Sequence, residues 1–178
     1  PEKLEAFLPN VKTIRVEGRT FPVEKIYRGN ARVSTVVGEA LNEVDGDILV
    51  FLPGAFEIER SVREIREEFG HDRNLEILPL YSSLSDQDQK KIFENSSKRR
   101  VICATNIAET SITLPKIKAV IDSGWGKVMR TDPQMGEDRL ETLRISRASS
   151  EQRAGRAGRV SAGVCYRLWT EAEQMQLR

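Results

Sequence analysis

Hydrophobic residues recur along the chain with two different periods, and their alternation predicts alternating strands and helices. A 3.6-residue rhythm predicts amphipathic helices, at residues 31–44, 56–69 and 85–94. Short, nearly continuous apolar runs predict strands buried in a sheet, at residues 47–52, 75–80, 100–104 and 118–122. Two further short strands, at residues 12–17 and 23–28, are predicted around the turn residues Gly18 and Pro22, as an entry hairpin or an edge.

This order of elements predicts an α/β fold with a doubly wound, mainly parallel sheet and helices on both faces, because strand–helix–strand crossovers are right-handed. Ligands of such sheets gather at the carboxyl ends of the strands. Turn-forming and polar residues follow four of the predicted strands: Pro53-Gly54, Tyr81-Ser82, Thr105-Asn106 and Ser123-Gly124. The sequence therefore predicts a functional edge at these ends, with Ser85 as the N-cap of the third helix.

The helical rhythm disappears at about residues 125–146, which read WGKVMRTDPQMGEDRLETLRIS. This segment predicts a β-hairpin insertion around the DPQMGED turn. A connector that finishes the main sheet is the alternative. The whole chain, residues 1–178, is predicted to be a single domain with a substantial core.

Composition narrows the classes of function only slightly. The 28 basic and 27 acidic side chains leave a formal net charge of +1, so nucleic-acid binding has to come from local patches. Cys103 and Cys165 stand far apart in apolar runs, which predicts reduced core thiols in a cytoplasmic protein. No metal site and no membrane span are predicted, and His71 is expected to be solvated in a polar turn.

Residues 152–159 read QRAGRAGR. If they are helical, Gln152, Arg156 and Arg159 lie on one stripe, and Arg153 lies about 100° away from it. Such a polar stripe suits phosphate oxygens. The two glycines cost the helix roughly 1 kcal/mol each, so helix stability does not explain the segment. A solvated, arginine-rich helix face is the alternative.

The chain resembles a known family in these motifs. QRAGRAGR is similar to the last motif, QRxGRxGR, of superfamily 2 helicases. Residues 48–58, ILVFLPGAFEI, and 101–124, VICATNIAETSITLPKIKAVIDSG, resemble motifs of the DEAH/RHA-box ATP-dependent RNA helicases, with LPLYSSLSDQDQKKIF at residues 78–93 between them. GVCYRLWTEAE at residues 163–173 and VEGRTFPVE at residues 16–24 look most like the bacterial HrpB branch, with HrpA next.

The resemblance implies that part of the ATPase lies elsewhere. Neither GxxxxGK[ST] nor DEAH occurs in the chain, although this chemistry needs a phosphate-binding loop and carboxylates for magnesium. In the family those motifs belong to a preceding RecA-like domain. We therefore expect this chain, which begins at Pro1, to be the second RecA-like (helicase C-terminal) domain excised from a longer protein. The first domain is expected to hold most of the ATP and Mg²⁺, which leaves the isolated domain inactive.

The resemblance also implies catalytic roles for three residues of the last motif. Gln152, Arg156 and Arg159 are expected to project into the cleft between the two RecA-like domains. Either Arg159 or Arg156 is the expected arginine finger on the γ-phosphate of ATP.

Other residues match nucleotide-binding positions of the family. Ser111 and Thr113 match positions that approach the nucleotide and its ribose, although Pro115 stands where the family often has Asp, which leaves a carboxylate contact to the nucleoside in question. Phe93 matches an aromatic residue that stacks on adenine. Core packing of Phe93 is an equal alternative, because only one of Ile92 and Phe93 can face the sheet.

The resemblance places single-stranded RNA on a different set of loops. Thr105 and Asn106 match positions that hold RNA phosphates, with Gly54, Ser82 and Ser83 beside them. Such contacts position a strand without reading its sequence. For Ser82 and Ser83, turn formation is an equal alternative. The hairpin is expected to act as a wedge or guide for the strand.

Several charged residues receive no catalytic role. Four basic residues form either a basic rim or, as we favour, a solvated face: Arg99, Arg100, Lys116 and Lys118. Glu109 and Asp122 suggest an acid–base pair. We assign them to the fold instead, because the family's catalytic carboxylate lies in the absent domain.

These features predict one half of an enzyme, the C-terminal RecA-like half of an ATP-dependent RNA helicase. Its expected partners are the first RecA-like domain of the same protein and single-stranded RNA. The alternatives are a non-enzymatic nucleic-acid-binding or partner-docking module, and half of a DNA helicase.

Overall fold

The computed structural model describes residues 21–110, 114, 116–131, 136 and 138–178. Several predictions concern residues outside these ranges. They are the strand at residues 12–17, the nucleotide contacts of Ser111 and Thr113, the effect of Pro115, and the centre of the DPQMGED turn.

A six-stranded, wholly parallel sheet forms the centre of the described chain, in the order β1-β8-β5-β2-β4-β3. Its strands are β1 (Val23–Tyr27), β2 (Asp47–Phe51), β3 (Leu75–Leu80), β4 (Arg99–Ala104), β5 (Ile117–Asp122) and β8 (Gly163–Arg167). All five residues of β2 are buried, as its nearly continuous apolar run predicted. The segment at residues 23–28 contains β1, which lies at the edge of the described sheet, and the hairpin alternative depends on residues 12–17, outside the described ranges.

Helices cover both faces of the sheet, which confirms the doubly wound α/β prediction. One face packs against α1 (Val33–Glu43) and α2 (Ala55–Phe69). The other face packs against α3 (Asp86–Phe93), α4 (Ile107–Thr110), α5 (Arg147–Ala154) and a 3-10 helix (Gly155–Gly158). Side chains of β2 alternate between the two cores, since Ile48 and Val50 join the first and Leu49 and Phe51 the second.

Three elements were not predicted from the sequence: α4, β8 and the last helix, α6 (Glu171–Gln176). Strand β8 lies between β1 and β5, and its residues 164–167 are buried. Helix α6 begins with a capping box in which Thr170 and Glu173 exchange hydrogen bonds. The spacing Thr-x-x-Glu is a readable signal for a helix start.

Strands β6 (Trp125–Thr131) and β7 (Asp138–Arg144) pair with each other in an antiparallel sheet of their own. The predicted hairpin is therefore present, and a connector that finishes the main sheet is excluded. At its root the Ile145 amide donates to the Gly124 carbonyl at 3.1 Å. Gly124 has φ +78°, and a Cβ there would lie 2.7 Å from the Trp169 ring, so the root requires glycine.

Helix α3 separates two neighbouring apolar residues. Ser85 caps the helix by accepting from the Asp88 amide at 3.2 Å, as predicted. Ile92 faces the sheet and is 1% exposed, whereas Phe93 is 53% exposed. Core packing is therefore excluded as the role of Phe93.

This difference predicts unequal costs of substitution. Ile92→Ala is expected to lower the free energy of unfolding by about 2–5 kcal/mol because it leaves a cavity. Phe93→Ala is expected to change it by only about 0.5 kcal/mol, the usual range for an exposed site. Urea denaturation of the two variants measures both values, and an equal loss for both would contradict the assignment of Ile92 to the core.

Candidate functional site

Three neighbouring strands, β3, β4 and β2, bring the predicted RNA-binding residues to one edge of the sheet. Gly54 follows β2 as the N-cap of α2, Thr105 and Asn106 follow β4, and Ser82 and Ser83 follow β3. The Thr105 amide donates to the Leu80 carbonyl at 3.2 Å, which ties two of the loops together. Asn106, Ser82 and Ser83 are exposed, Thr105 is half-buried and Gly54 is buried.

The hairpin brings Lys127 to this carboxyl edge. The sequence did not predict this positive charge at the site. A Cβ built on Gly54 would lie 2.4 Å from Lys127 Nζ, so the lysine side chain of β6 lies directly over the start of α2. Gly54 has an extended backbone there, with φ −161°. Glycine at this position leaves room for this approach, since a larger side chain would have to displace the end of the Lys127 side chain. A basic residue in β6 was visible in the sequence, but its approach to α2 depends on the fold of the hairpin.

The segment at residues 152–159 does not form one helical stripe. Helix α5 ends at Ala154, and Gly155–Gly158 continue as a 3-10 helix, whose three-residue turn changes the side-chain directions. Gln152 and Arg159 are exposed, whereas Arg156 is only 4% exposed. The α-helical geometry that the predicted stripe assumed therefore ends before Arg156, and the three side chains differ in exposure.

Arg156 is held by the end of α4. Its Nε donates to the Glu109 carbonyl at 2.9 Å, and a terminal nitrogen donates to the same oxygen. Burial, followed by the positive charge of Arg159, lowers the pKa of Arg156 from its usual value. Of the two candidate arginine fingers, Arg159 has the exposed side chain.

Arg153 is buried between two carboxylates, so the alternative of a solvated arginine face fails for this residue. It forms ion pairs with Glu109 at 3.0 Å and with Asp122 at 2.9 Å. Both carboxylates thus hold elements of the fold together, as we expected when we assigned neither to catalysis. Burial raises the pKa of Asp122, and the positive charge of Arg153 opposes that shift.

The amino edge of the sheet carries the exposed candidates for nucleotide contact. Phe93 and Leu114 line a depression with Asp47 and Lys116. Asp47 and Lys116 also line a second depression that reaches Val160, the residue after Arg159. The aromatic side chain and the residue that follows the exposed arginine thus line two depressions that share Asp47 and Lys116, on the edge opposite to the predicted RNA loops.

The four basic residues of the supposed rim differ in their surroundings. Arg99 donates to four carbonyls at the end of α1 and in the following turn, those of Ala40, Leu41, Val44 and Gly46. Arg100 is buried and donates to the carbonyls of Ile92 and Glu94. Neither arginine belongs to a basic rim or a solvated face, since both satisfy carbonyls at helix ends. Lys116 is exposed and Lys118 half-buried.

The cysteines and the histidine behave as predicted. Cys103 and Cys165 are free and buried, and burial raises the pKa of each thiol to about 12. His71 is exposed in a turn. Within the described ranges, no group of three His, Cys, Asp or Glu side chains is arranged to hold a metal ion. No helix in that part of the chain is long and apolar enough to span a membrane.

Comparison with known proteins decides the family. The family described as "Helicase conserved C-terminal domain" matches residues 31–161. The chain belongs to this family. It is 40% identical over 185 residues to ATP-dependent RNA helicase HrpA of Escherichia coli, covering 96% of this chain and 14% of that protein. It is 43% identical over 173 residues to human probable ATP-dependent RNA helicase DHX35, covering 89% of this chain and 25% of that protein.

HrpB is similar in both sequence and structure. E. coli HrpB, named an ATP-dependent RNA helicase, is 40% identical over 176 residues, covering 94% of this chain and 22% of that protein. The crystal structure of the E. coli DEAH/RHA helicase HrpB superposes with TM-score 0.88 at 37% identity, covering 99% of this chain and 24% of that one. The predicted RecA-like fold and the likeness to HrpB and HrpA are confirmed. The chain spans a quarter or less of the length of these relatives.

Proposed function

We propose that this chain is the second RecA-like domain, over residues 1–178, of an ATP-dependent RNA helicase. The observation that carries the proposal is the arrangement of two candidate sites on opposite edges of one parallel sheet. Phe93 and the residue after Arg159 lie at the amino edge, and the candidate RNA contacts lie at the carboxyl edge. A domain built in this way can respond to one ligand by changing its grip on the other.

At the nucleotide edge, Arg159 is the arginine finger that contacts the γ-phosphate of ATP bound to the first domain. Its exposed guanidinium stabilises the charge that grows on the phosphoryl oxygens in the transition state. Gln152 and Arg156 complete this motif in the interdomain cleft, and closure of the two domains would have to release part of the present grip of Arg156 on Glu109. Mg²⁺ is held by the first domain, because the phosphate-loop and DEAH motifs are absent from this chain.

The base and ribose of ATP are contacted by the remaining nucleotide-binding residues. Phe93 offers an exposed ring beside a depression, which suits stacking on adenine, and such stacking tolerates different bases. Ser111 and Thr113, which follow α4 in the chain, are the residues proposed to approach the nucleotide and its ribose. Leu114, which follows Thr113 in the chain, lines the same depression as Phe93, and this shared lining supports their grouping.

At the RNA edge, Thr105 and Asn106 hold phosphates of single-stranded RNA, with Gly54, Ser82 and Ser83 beside them. Short polar side chains and a glycine suit close approach of a sugar–phosphate backbone. Lys127 adds a positive charge over Gly54 that can pair with a phosphate. The adjacent hairpin guides the strand.

The two edges act together through closure of the domains. ATP on the first domain draws this domain shut through its contact with Arg159, and hydrolysis releases it, as in other switches that depend on a γ-phosphate. Each change of grip at Thr105 and Asn106 moves single-stranded RNA relative to the protein. The free thiols of both cysteines support a cytoplasmic location.

The full-length protein is expected to hydrolyse ATP, and single-stranded RNA is expected to stimulate its turnover more than DNA of the same sequence. The isolated domain is expected to bind ATP weakly and to hydrolyse none. ATPase assays with RNA and DNA oligomers check these outcomes. Equal stimulation by DNA would favour half of a DNA helicase. Absence of turnover in the full-length protein would favour a binding module. Robust turnover by the isolated domain would contradict the proposal that the ATPase site needs both RecA-like domains.

A further inference from the structure

Arg153 lies at the centre of a buried charge cluster that has no role in the proposed ligand contacts. It is 1% exposed, and its guanidinium carbon lies 4.8 Å from the centroid of the Phe51 ring. Nε donates to Glu109 Oε2 at 3.0 Å, and a terminal nitrogen donates to Asp122 Oδ1 at 2.9 Å. Because desolvation offsets much of the attraction in a buried ion pair, such a cluster contributes little net stability. Its geometric effect is to hold three separate elements together.

One side of the cluster contacts the residues after β4, where Thr105 and Asn106 form what we call the RNA loop. Glu109 belongs to α4, and its amide donates to the Asn106 carbonyl at 2.9 Å. The Glu109 carboxylate also accepts from Ser149 of α5 at 2.8 Å, while its carbonyl accepts from Arg156. Helix α5 and the 3-10 helix therefore hold α4 by both its side chain and its backbone. A shift of the segment that carries Arg159 has to move the residues that follow Asn106.

The other side of the cluster contacts the root of the hairpin. Asp122 is fully buried at the end of β5, and the Oδ1 atom that pairs with Arg153 also accepts from the Gly124 amide at 2.9 Å. The Arg153 guanidinium donates in addition to the Trp125 carbonyl at 3.2 Å. A Cβ on Gly126 would lie only 3.4 Å from the same guanidinium. These contacts with Arg153 hold the start of β6 to α5, and they set the direction in which β6 leaves the main sheet.

We infer that Arg153 is the positioning residue that couples the RNA edge to the nucleotide edge. It ties α4, with the RNA loop at its start, and the hairpin root to the helix that precedes Arg159. This inference rests on the proposed function and adds the physical connection between its two sites. Arg153 touches neither ligand, and it acts by making one rigid unit of three elements that both ligands displace.

The test is ATP turnover by the full-length protein with and without single-stranded RNA. Arg153→Lys keeps the charge but loses the fork of donors that spans both carboxylates. Turnover without RNA is expected to stay within about threefold of wild type. RNA-stimulated kcat is expected to fall about tenfold, with a higher half-saturating RNA concentration. Glu109→Gln is also expected to lower RNA-stimulated turnover while leaving turnover without RNA nearly unchanged. This second variant keeps the inference testable if Arg153→Lys does not fold.

Arg167→Lys is the matched control, because Arg167 is also 1% exposed and ion-paired, with Glu151 at 2.9 Å. Its other side-chain hydrogen bond goes to Tyr27 of β1 at 3.0 Å, so the substitution leaves the hydrogen bonds of Arg153 to Glu109 and Asp122 in place. This variant is expected to lower the melting temperature while keeping the stimulation by RNA. A fall of basal and stimulated turnover by the same factor in Arg153→Lys and Glu109→Gln, or unchanged stimulation in both, would overturn the coupling role alone. A wild-type protein without RNA-stimulated turnover would overturn the proposed function together with this inference.

Discussion

Replacing Arg159 with alanine in the full-length protein is expected to lower RNA-stimulated ATP turnover by about 10³-fold, the scale of loss when an arginine finger is removed. Exposure is the structural reason for choosing this residue. A donor that contacts a ligand on another domain has to be reachable from solvent before the domains close, and Arg159 is exposed while Arg156 is buried. The measurement is kcat at saturating ATP and RNA.

Two comparisons separate this catalytic role from a structural one. Arg147→Ala removes another exposed arginine, from the first turn of α5, and is expected to leave turnover unchanged. Arg156→Ala is expected to lower both turnover and the melting temperature, because it breaks the contact with the Glu109 carbonyl, whereas Arg159→Ala keeps the wild-type melting temperature. Turnover in Arg159→Ala within about threefold of wild type would reject the arginine-finger role.

The strand and helix pattern could be predicted because burial imposes its period on the sequence. The run at residues 47–52 is apolar after Asp47 because β2 is covered on both faces. The choice between Ile92 and Phe93 could not be made in this way. Both are apolar and adjacent, so the pattern requires one of them to face the sheet but does not say which. Strand β8 was missed although residues 164–169 are mostly apolar, because residues 147–158 before it have few apolar side chains and so lack the rhythm that would mark a crossover helix.

The helix geometry of the last motif and the burial of Arg156 could not be predicted, for a different reason. The predicted stripe assumed α-helical geometry through Arg159, and the chain changes to a 3-10 helix at Gly155. A Cβ on Gly158 would lie 2.6 Å from the Phe21 carbonyl, so this turn packs against a segment more than a hundred residues away in sequence. The ion pairs of Arg153 are also long-range, with partners 44 and 31 residues away. Local periodicity carries no information about such contacts.

Replacing Thr105 and Asn106 together with alanine in the full-length protein is expected to weaken RNA binding about 10²-fold, since each hydrogen bond to a charged phosphate contributes about 1.5–3 kcal/mol. ATP turnover without RNA is expected to persist, because both residues lie at the carboxyl edge of the sheet, opposite to Arg159. RNA titrations of ATPase activity, with direct measurement of RNA affinity, check the two parts of the prediction.

The geometry of the RNA loop also defines the control for this double variant. Asn42 is an exposed amide in the last turn of α1, before the amino end of β2 and so at the edge of the sheet opposite to the three loops, and Asn42→Ala is expected to keep wild-type RNA affinity. Alanine at positions 105 and 106 leaves the backbone hydrogen bonds that start α4 in place, because the Thr105 and Asn106 carbonyls rather than their side chains accept them. A loss of RNA stimulation therefore reports on side-chain contacts with the strand. RNA stimulation and affinity equal to wild type in the double variant would mean that the RNA lies elsewhere on the domain.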